Sequence, residues 1–254
     1  MALIKRQQYL DELIELYGTP DIKVITGIRR SGKSVLLQEF VRYLQQQPEA
    51  INIVMINLQE LEFDQLLEYY ALHQYILDHH KEGMTNVLII DEVQLCPSFE
   101  LAINSIYAKQ IYDIYITGSN AFLLSSDLAT LFTGRTVEVK VYPFSFKEYL
   151  LYHGITDGFD RAFDEYVRSG GMPGSYPYKS EDRRYAYIQD VYETVLVRDL
   201  VDKYHIRNQQ EFVNIAEFMM DNIGNLLSAN NISTALNHND SDITRKTVAK
   251  YIEI

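Results

Sequence analysis

The fold is decided by Gly27-Ile28-Arg29-Arg30-Ser31-Gly32-Lys33-Ser34. This stretch matches the pattern G-x-x-x-x-G-K-[ST], in which successive backbone N–H groups curl around phosphate oxygens and bulky side chains would block the approach. Lys33 places a positive charge at the β- and γ-phosphates, and the Ser34 hydroxyl is offered to Mg²⁺. An apolar strand, 22–26, precedes the loop, and a helical pattern follows it. The segment from Gly27 to Val35 therefore predicts a nucleotide phosphate site.

A second motif supplies acidic side chains. The apolar run 87–90 is typical of a buried central strand, and it is closed by Asp91 and Glu92. An acid at the end of such a strand can hold Mg²⁺, which predicts Asp91 as a metal ligand. Glu92 would then polarise the attacking water as a general base. The alternative is a strand end whose acids only meet solvent.

The next predicted strand, 111–117, also ends in polar residues. If this strand lies between the loop strand and the Asp91 strand, Ser119 or Asn120 can position a water molecule near the γ-phosphate. The alternative is that one of them caps the helix that follows. The choice depends on the order of the strands in the sheet.

Three arginines are candidates for contacts with phosphate. Arg135 suits the stabilisation of charge on a transferring phosphoryl group, in the same chain or from a neighbouring subunit. A surface ion pair is the alternative for Arg135. Arg29 and Arg30 are two bulky cations inside the loop, and they either touch phosphate or a neighbouring subunit, or stay solvated. We assign only Arg135 a catalytic role.

The first ~150 residues alternate between helical patterns and short apolar strands, which is typical of a parallel α/β sheet. The predicted strands are 22–26, 51–58, 87–91, 111–117 and 137–141. The predicted helices are 9–17, 35–47, 61–80 and one that Pro97 and Ser98 cap. The pattern predicts a P-loop sheet sandwiched by helices.

After Pro143 the sequence becomes mostly helical. We predict three domains: a P-loop ATPase core over 1–148, a helical lid over 149–207, and a partial winged helix over 208–254. The predicted helices of the last domain are 212–223, 228–236 and 243–252, with Ser228 and either Ser241 or Asp242 as caps. Because the sequence ends inside the third helical pattern, we expect a fragment of a longer protein.

Composition restricts the location and the partners. The net charge is −12 and the pI is about 4.9, which disfavours nucleic-acid binding by the chain as a whole. The apolar runs are too short to span a bilayer, so we expect no membrane contact. The single cysteine, Cys96, excludes an internal disulfide and fits a reducing compartment. We therefore expect a cytoplasmic protein in which Cys96 is a small packed side chain.

Six motifs together resemble predicted prokaryotic AAA+ ATPases, which typically carry a winged helix and then a C-terminal domain of unknown function. The motifs are the loop 27–34, Asp91-Glu92-Val93-Gln94, Thr117-Gly118-Ser119, Gly134-Arg135, Pro143-Phe144-Ser145-Phe146 and Gly170-Gly171-Met172-Pro173. The resemblance covers nearly the whole chain. It implies an AAA+-like core that binds ATP and Mg²⁺.

The resemblance also implies roles for particular residues. It places Ser119 near the sensor position and Arg135 near the arginine-finger position. Pro173 looks like the proline that packs beside the nucleotide, although a flexible turn is the alternative for 170–174. Arg6 is similar to an N-terminal arginine that contacts the base. Ile28 departs from the pattern by replacing a proline, and we expect that the C-terminal domain of the family lies outside this sequence.

Three hypotheses for function follow. The first is hydrolysis of ATP by a Glu92-activated water, in a possible homo-oligomer, with a possible protein partner bound through the lid or the missing region. The second is an ATP-gated switch with negligible hydrolysis. The third is a DNA-binding regulator whose last helix carries the contacts, namely Thr244, Arg245, Lys246 and Lys250. A GTPase is disfavoured because no Asn-Lys-x-Asp segment is present for guanine.

Overall fold

The structure is a computed structural model that describes residues 4–118, 132, 134–237 and 243–253. Contacts between residues divide the chain into two compact units, Met1–Ile188 and Gln189–Ile254. Within the described residues, no helix has both the length and the apolar character needed to cross a membrane.

The first unit is built on a five-stranded parallel sheet. Its strands are β1 (Ile22–Thr26), β2 (Ile51–Asn57), β3 (Thr85–Asp91), β4 (Asp113–Thr117) and β5 (Thr136–Lys140). The spatial order is β2-β3-β4-β1-β5. All four pairings are parallel, so the carboxyl ends of the strands meet at one edge. The predicted sheet is confirmed, and β4 lies between the loop strand β1 and the Asp91 strand β3.

Helices cover both faces of this sheet. They are α1 (Gln7–Glu15), α2 (Lys33–Gln45), α3 (Tyr69–Asp78) and α4 (Phe99–Lys109). On one face, side chains of α1 and α2 such as Leu13 and Phe40 pack with Ile89 of β3. On the other, Ile76 of α3 and Ile103 of α4 pack in a separate core cluster. β3 is buried on both faces from Asn86 to Asp91, which explains its continuous apolar run 87–90.

The prediction of one continuous helix over 61–80 is wrong. The segment forms a 3₁₀ helix, Leu61–Leu66, and then α3 begins at Tyr69. Glu68 has an extended backbone, and its carboxylate accepts a hydrogen bond from Ala71 N at 2.9 Å. This carboxylate satisfies one N–H group of the first turn, so a new helix starts there. Another 3₁₀ helix, Val93–Leu95, follows β3.

Four further helical elements follow the sheet in the first unit. They are α5 (Phe146–His153), α6 (Phe159–Ser169), a 3₁₀ helix (Pro173–Ser175) and α7 (Glu181–Glu193), in which the boundary between the units falls. A capping box starts α5, because Ser145 Oγ accepts from Glu148 N at 3.3 Å and Glu148 Oε2 accepts from Ser145 N at 2.8 Å. Contacts therefore group α5 and α6 with the sheet.

The described residues of the second unit are helical. A π-helical segment, Thr194–Leu200, precedes α8 (Val201–Tyr204), α9 (Gln209–Asp221), α10 (Ala229–Asn237) and α11 (Arg245–Ile252). The predicted cap at Ser228 is present, since its Oγ accepts from Asn231 N at 3.1 Å. Thr244, rather than Ser241 or Asp242, caps α11, and these last two lie outside the described residues. The winged helix and the three domain bounds stay predictions.

Candidate nucleotide-binding site

The loop after β1 is a concave turn that only glycine can begin. Gly27 has φ 154°, and a Cβ built there would lie 2.3 Å from the Val141 carbonyl oxygen. Gly32 has φ 100° and is the N-cap of α2, with no side-chain cap. The first N–H groups of α2 are therefore left for an anion at the helix start. Ser31 Oγ is buried there with no hydrogen-bond partner among the described residues.

Lys33 is folded back into this loop. Its Nζ donates to the Gly27 carbonyl oxygen at 2.8 Å and to that of Ile28 at 3.3 Å, and the side chain is buried. Ile28 and Arg29 are half-buried, while Arg30 is exposed and its guanidinium lies 4.8 Å from the centre of the Tyr187 ring. The loop thus presents a buried ammonium group beside backbone N–H groups, as phosphate binding needs.

The two acids at the end of β3 are buried and joined through Thr117 of β4. Asp91 is 1% exposed and Glu92 is 8% exposed. Thr117 Oγ1 donates to Asp91 Oδ1 and accepts from the Glu92 backbone N–H at 2.9 Å. Glu92 has a left-handed backbone, with φ 58° and ψ 46°, which is strained for a non-glycine residue. Gln94 Nε2 donates to Glu92 Oε2.

One cavity of about 320 Å³ connects the loop to the second of these acids, Glu92. Polar residues of the loop and Glu92 line one part of it, and apolar residues line the rest. The lining is Ile4, Arg6, Arg30, Gly32, Lys33, Ser34, Val35, Leu36, Glu39, Glu92, Phe144, Tyr152, Pro173 and Gly174. Pro173 and Glu92, which the sequence places 81 positions apart, therefore share one cavity with Lys33.

Arg6 ties the loop to α5. Its Nη1 donates to the Ser31 carbonyl oxygen at 2.9 Å, and its Nε and Nη2 donate to the two carboxylate oxygens of Glu148 at 2.6 and 3.1 Å. Burial raises the pKa of Glu148, but hydrogen bonds from Arg6 and Ser145 outweigh burial and hold that pKa below its usual range. Glu148 is therefore ionised at neutral pH, and the contact is a bidentate ion pair. The predicted contact of Arg6 with a base would compete with these bonds.

The glycine-rich turn 170–174 packs closely against Phe144 on one side and Tyr187 on the other. The Phe144 N–H donates to the Gly171 carbonyl oxygen at 2.7 Å, and a Cβ at Gly171 would lie 2.4 Å from the Phe144 carbonyl oxygen. A Cβ at Gly174 would lie 2.0 Å from the Tyr187 hydroxyl. These contacts favour a packed cavity wall over a flexible turn, because each glycine allows a close approach.

Arg135 lies far from this cavity. Its carbonyl oxygen accepts from Ile22 N at 2.9 Å, at the amino end of β1, whereas the loop follows the carboxyl end. The two ends of β1 are roughly 13 Å apart at the usual rise of a strand. The exposed guanidinium lies 5.3 Å from the centre of the Tyr107 ring on α4. Arg135 is therefore far from the loop of its own chain, and both a surface role and action on a neighbouring subunit stay predictions.

Several predicted positions remain to be placed. Ser119 and Asn120 lie outside the described residues, so their roles stay predictions. Arg245, Lys246 and Lys250 are exposed on α11, and DNA binding through them also stays a prediction. In the described part of the chain, no three His, Cys, Asp or Glu side chains group as a metal site. Asp91 and Ser34 supply hard oxygen donors, which suit Mg²⁺ held mainly by substrate phosphates.

Sequence reasoning missed three contributors to the site. Thr117 and Gln94 contact the acids, and Glu148 receives Arg6. Glu148 could have been found, because Ser145-Phe146-Lys147-Glu148 has the spacing of a capping box. Thr117 depends on a tertiary contact between neighbouring strands, whereas Gln94 contacts Glu92 locally, through the 3₁₀ turn that follows β3.

A family model described as an AAA domain matches residues 19–150, just over half of the chain. The chain belongs to the AAA domain family. A second model, for a domain of unknown function, matches residues 160–254 of this AAA domain protein. The matched AAA segment contains all five strands, the loop and both acids.

Two curated relatives align with the whole of this AAA domain protein. An uncharacterized protein of Haemophilus influenzae is 33% identical over 258 residues, which cover 100% of this chain and 64% of the relative. One of Methanocaldococcus jannaschii is 24% identical over 265 residues, covering 100% and 58%. A solved structure of AMPPCP-bound DnaA from Aquifex aeolicus is 13% identical with a TM-score of 0.45, covering 99% of this chain and 88% of that one. The AAA domain chain spans less than two thirds of the length of either curated relative.

Proposed function

We propose that this AAA domain protein binds Mg-ATP and hydrolyses it. One observation carries the proposal: Glu92 lines the same cavity as Lys33 and Ser34. A carboxylate that can take a proton from water then stands beside the loop that binds phosphate.

The loop residues hold the triphosphate. Backbone N–H groups from Gly27 to Val35 donate to phosphate oxygens, and the Lys33 ammonium group exchanges its carbonyl partners for the β- and γ-phosphates. Ser34 and Asp91 hold the metal ion. Mg²⁺, when bound with the nucleotide, neutralises charge on the phosphate oxygens.

Glu92 carries the chemical step. A water molecule attacks the γ-phosphorus in line with the bond to the β–γ bridging oxygen, and Glu92 accepts the proton that the water loses. That bond breaks, and the products are ADP and inorganic phosphate. Lys33 stabilises the charge that develops on the leaving oxygen. Ser119 would orient the water, and Arg135 from a neighbouring chain would contact the γ-phosphate.

The apolar part of the cavity suits the nucleobase. Ile4, Phe144, Tyr152 and Pro173 offer aliphatic and aromatic surface next to the loop. A base that leaves water to pack against such surface gains hydrophobic and stacking energy. This arrangement supports ATP as the ligand, and it supports Pro173 as a wall residue that contacts the base.

Two substitutions test the proposal. Lys33→Ala should abolish ATP binding, because the buried charge that meets the phosphates is lost, and a fluorescent ATP analogue measures this. Glu92→Gln should keep the analogue's affinity while turnover falls about 100-fold or more, since the amide cannot accept the proton. Lys109→Ala, on the exposed end of α4, is the matched control and should leave both quantities unchanged.

The outcomes separate the hypotheses. Unchanged affinity in Lys33→Ala would remove the loop from the site. Wild-type protein that binds ATP without turnover at any protein concentration would favour the ATP-gated switch. Retained turnover in Glu92→Gln would take the role of general base away from Glu92.

A further inference from the structure

The Glu92 carboxylate accepts a hydrogen bond from the side-chain amide of Gln94. Glu92 precedes the 3₁₀ helix Val93–Leu95, and this tight turn brings the Gln94 side chain back to Glu92, where Nε2 donates to Oε2. Glu92 lines the nucleotide cavity, whereas Gln94 is not among the described residues that line it. Among the described residues, the route from Gln94 to the cavity therefore runs through Glu92.

The oxygen atom of the Gln94 amide carries a cost in stability for the fold. Gln94 Oε1 is buried and has no hydrogen-bond partner among the described residues. A buried acceptor without a donor destabilises a protein, so stability alone does not favour glutamine here. Turning the amide over would place its oxygen against the carboxylate, which is repulsive. Within the part of the chain that the structure describes, the hydrogen bond of this amide is the one with Glu92.

The backbone of Glu92 is also held in one conformation. Its left-handed conformation is held by the bond from its N–H to Thr117 Oγ1 at 2.9 Å. The bond from the Glu92 N–H to Thr117 fixes the backbone from which the Glu92 side chain extends. The bond from Gln94 Nε2 fixes the position of the Glu92 carboxylate. A general base needs both, because small errors in the placement of a catalytic group cost large factors in rate.

We propose that Gln94 is a positioning residue that orients the Glu92 carboxylate toward the attacking water. The inference rests on the proposed hydrolysis of ATP and assigns Gln94 no contact with the nucleotide. The hydrogen bond from Gln94 to Glu92 is strengthened by the charge of the carboxylate, since a hydrogen bond to a carboxylate is stronger than one between neutral groups.

The test is Gln94→Met, which keeps the length of the side chain and removes the donor. We expect turnover to fall about 10- to 100-fold while the affinity for the ATP analogue changes less than about twofold. The thermal midpoint should stay the same or rise, because a buried oxygen without a hydrogen-bond partner among the described residues is also removed. A purely structural role predicts the reverse: a lower midpoint with little loss of turnover per folded chain.

Gln74→Met is the matched control. Gln74 Nε2 also donates to a carboxylate, that of Asp78, at 2.8 Å, but on the exposed face of α3. This variant should keep wild-type turnover and affinity. A second variant, Gln94→Glu, has the same shape as glutamine but no donor, and it should lose at least as much turnover as Gln94→Met.

A double variant separates positioning from other effects. In the Glu92→Gln background, adding Gln94→Met should leave the residual turnover unchanged, because Gln94 acts only through Glu92. Multiplying losses in the double variant would overturn the proposal. Wild-type turnover in Gln94→Met would overturn it and leave hydrolysis standing. A wild-type protein without turnover would overturn both.

Discussion

The side-chain hydroxyl of Thr117 forms hydrogen bonds with both acidic residues of the site. A hydroxyl has one hydrogen to donate and lone pairs to accept, and Thr117 uses the hydrogen for Asp91 and a lone pair for the Glu92 N–H. The position of Thr117 at the end of β4 makes this possible, because β4 is the neighbour of β3 in the sheet. The strand inserted between β1 and β3 therefore helps to position both acidic residues.

We predict that Thr117→Val destabilises the protein and slows turnover. Valine has the same shape but leaves the Asp91 carboxylate without its donor and the buried Glu92 N–H without its acceptor. The free energy of unfolding should fall by about 1–3 kcal/mol, measured by urea denaturation. Thr117→Ser keeps the hydroxyl and should stay close to wild type. Equal stability of the two variants would contradict this account of Thr117.

At the scale of the elements, a buried ion pair joins β1 and β4 at their amino ends. Lys23 Nζ contacts Asp113 Oδ1, and the Lys23 side chain is 0% exposed. The Thr19 carbonyl oxygen accepts from the same ammonium group at 2.6 Å, and Asp113 Oδ2 accepts from the Tyr115 hydroxyl at 3.2 Å. The pair is hydrogen-bonded on both sides, so it can stabilise the pairing of these two strands.

Removing one member of this pair should be costly. We predict that Asp113→Ala lowers the free energy of unfolding by about 3–5 kcal/mol, because the Lys23 ammonium group is left buried and unpaired. Glu165→Ala breaks the exposed pair with Arg161, whose side chains are 88% and 52% exposed, and should cost less than about 1 kcal/mol. Denaturant unfolding measures both.

A milder change tests the same pair if Asp113→Ala does not fold. Asp113→Asn keeps the shape and one acceptor oxygen but loses the charge and the second acceptor, so it should be destabilised less than Asp113→Ala. The affinity of its folded form for the ATP analogue should equal that of wild type, since the pair lies at the edge of the sheet opposite the loop. A cost similar to that of Glu165→Ala would show that Lys23 finds another partner.

At the scale of the whole molecule, the loop and Arg135 belong to opposite edges of the sheet. One chain therefore cannot easily bring its own Arg135 to its own nucleotide. A neighbouring chain could do so, and this is the form of the arginine-finger role that the placement supports. Turnover per chain should then rise with protein concentration.

We predict that two inactive variants restore each other. Lys33→Ala lacks a working nucleotide site but keeps Arg135, and Arg135→Ala has the opposite defect. Each alone should be nearly inactive, while an equal mixture should regain part of the wild-type turnover in a coupled ATPase assay. Wild-type turnover in Arg135→Ala, or a mixture as inactive as its components, would rule out an arginine supplied by a neighbour.

Much of the sheet and the loop could be predicted because their signals are local. Short segments rich in apolar residues mark the strands, as in the run 87–90 of the buried strand β3. The glycine and lysine spacing of 27–34 is typical of a phosphate-binding loop. The break at Glu68 could not be predicted with the same ease, because glutamate is an uncommon N-cap.

The rest of the site depends on contacts between distant parts of the chain. Arg6 and Glu148 are separated by 142 positions, and Thr117 meets Glu92 only because β4 is inserted beside β3. Arg135 looks like a site residue from its neighbours in sequence, yet its strand starts at the far edge. Sequence patterns identify which groups can do chemistry, and the strand order decides which of them meet.

The bond between Phe144 and Gly171 has a consequence for how the chain can vary in length. It closes a loop that contains α5, α6 and the turn between them, 154–158, which is exposed apart from the half-buried Ile155. Lengthening a loop that is already closed costs little chain entropy, only about 0.6 kcal/mol for each doubling. Insertions at 154–158 should therefore leave Pro173 in the cavity wall, and this turn is where we expect additional sequence to be tolerated.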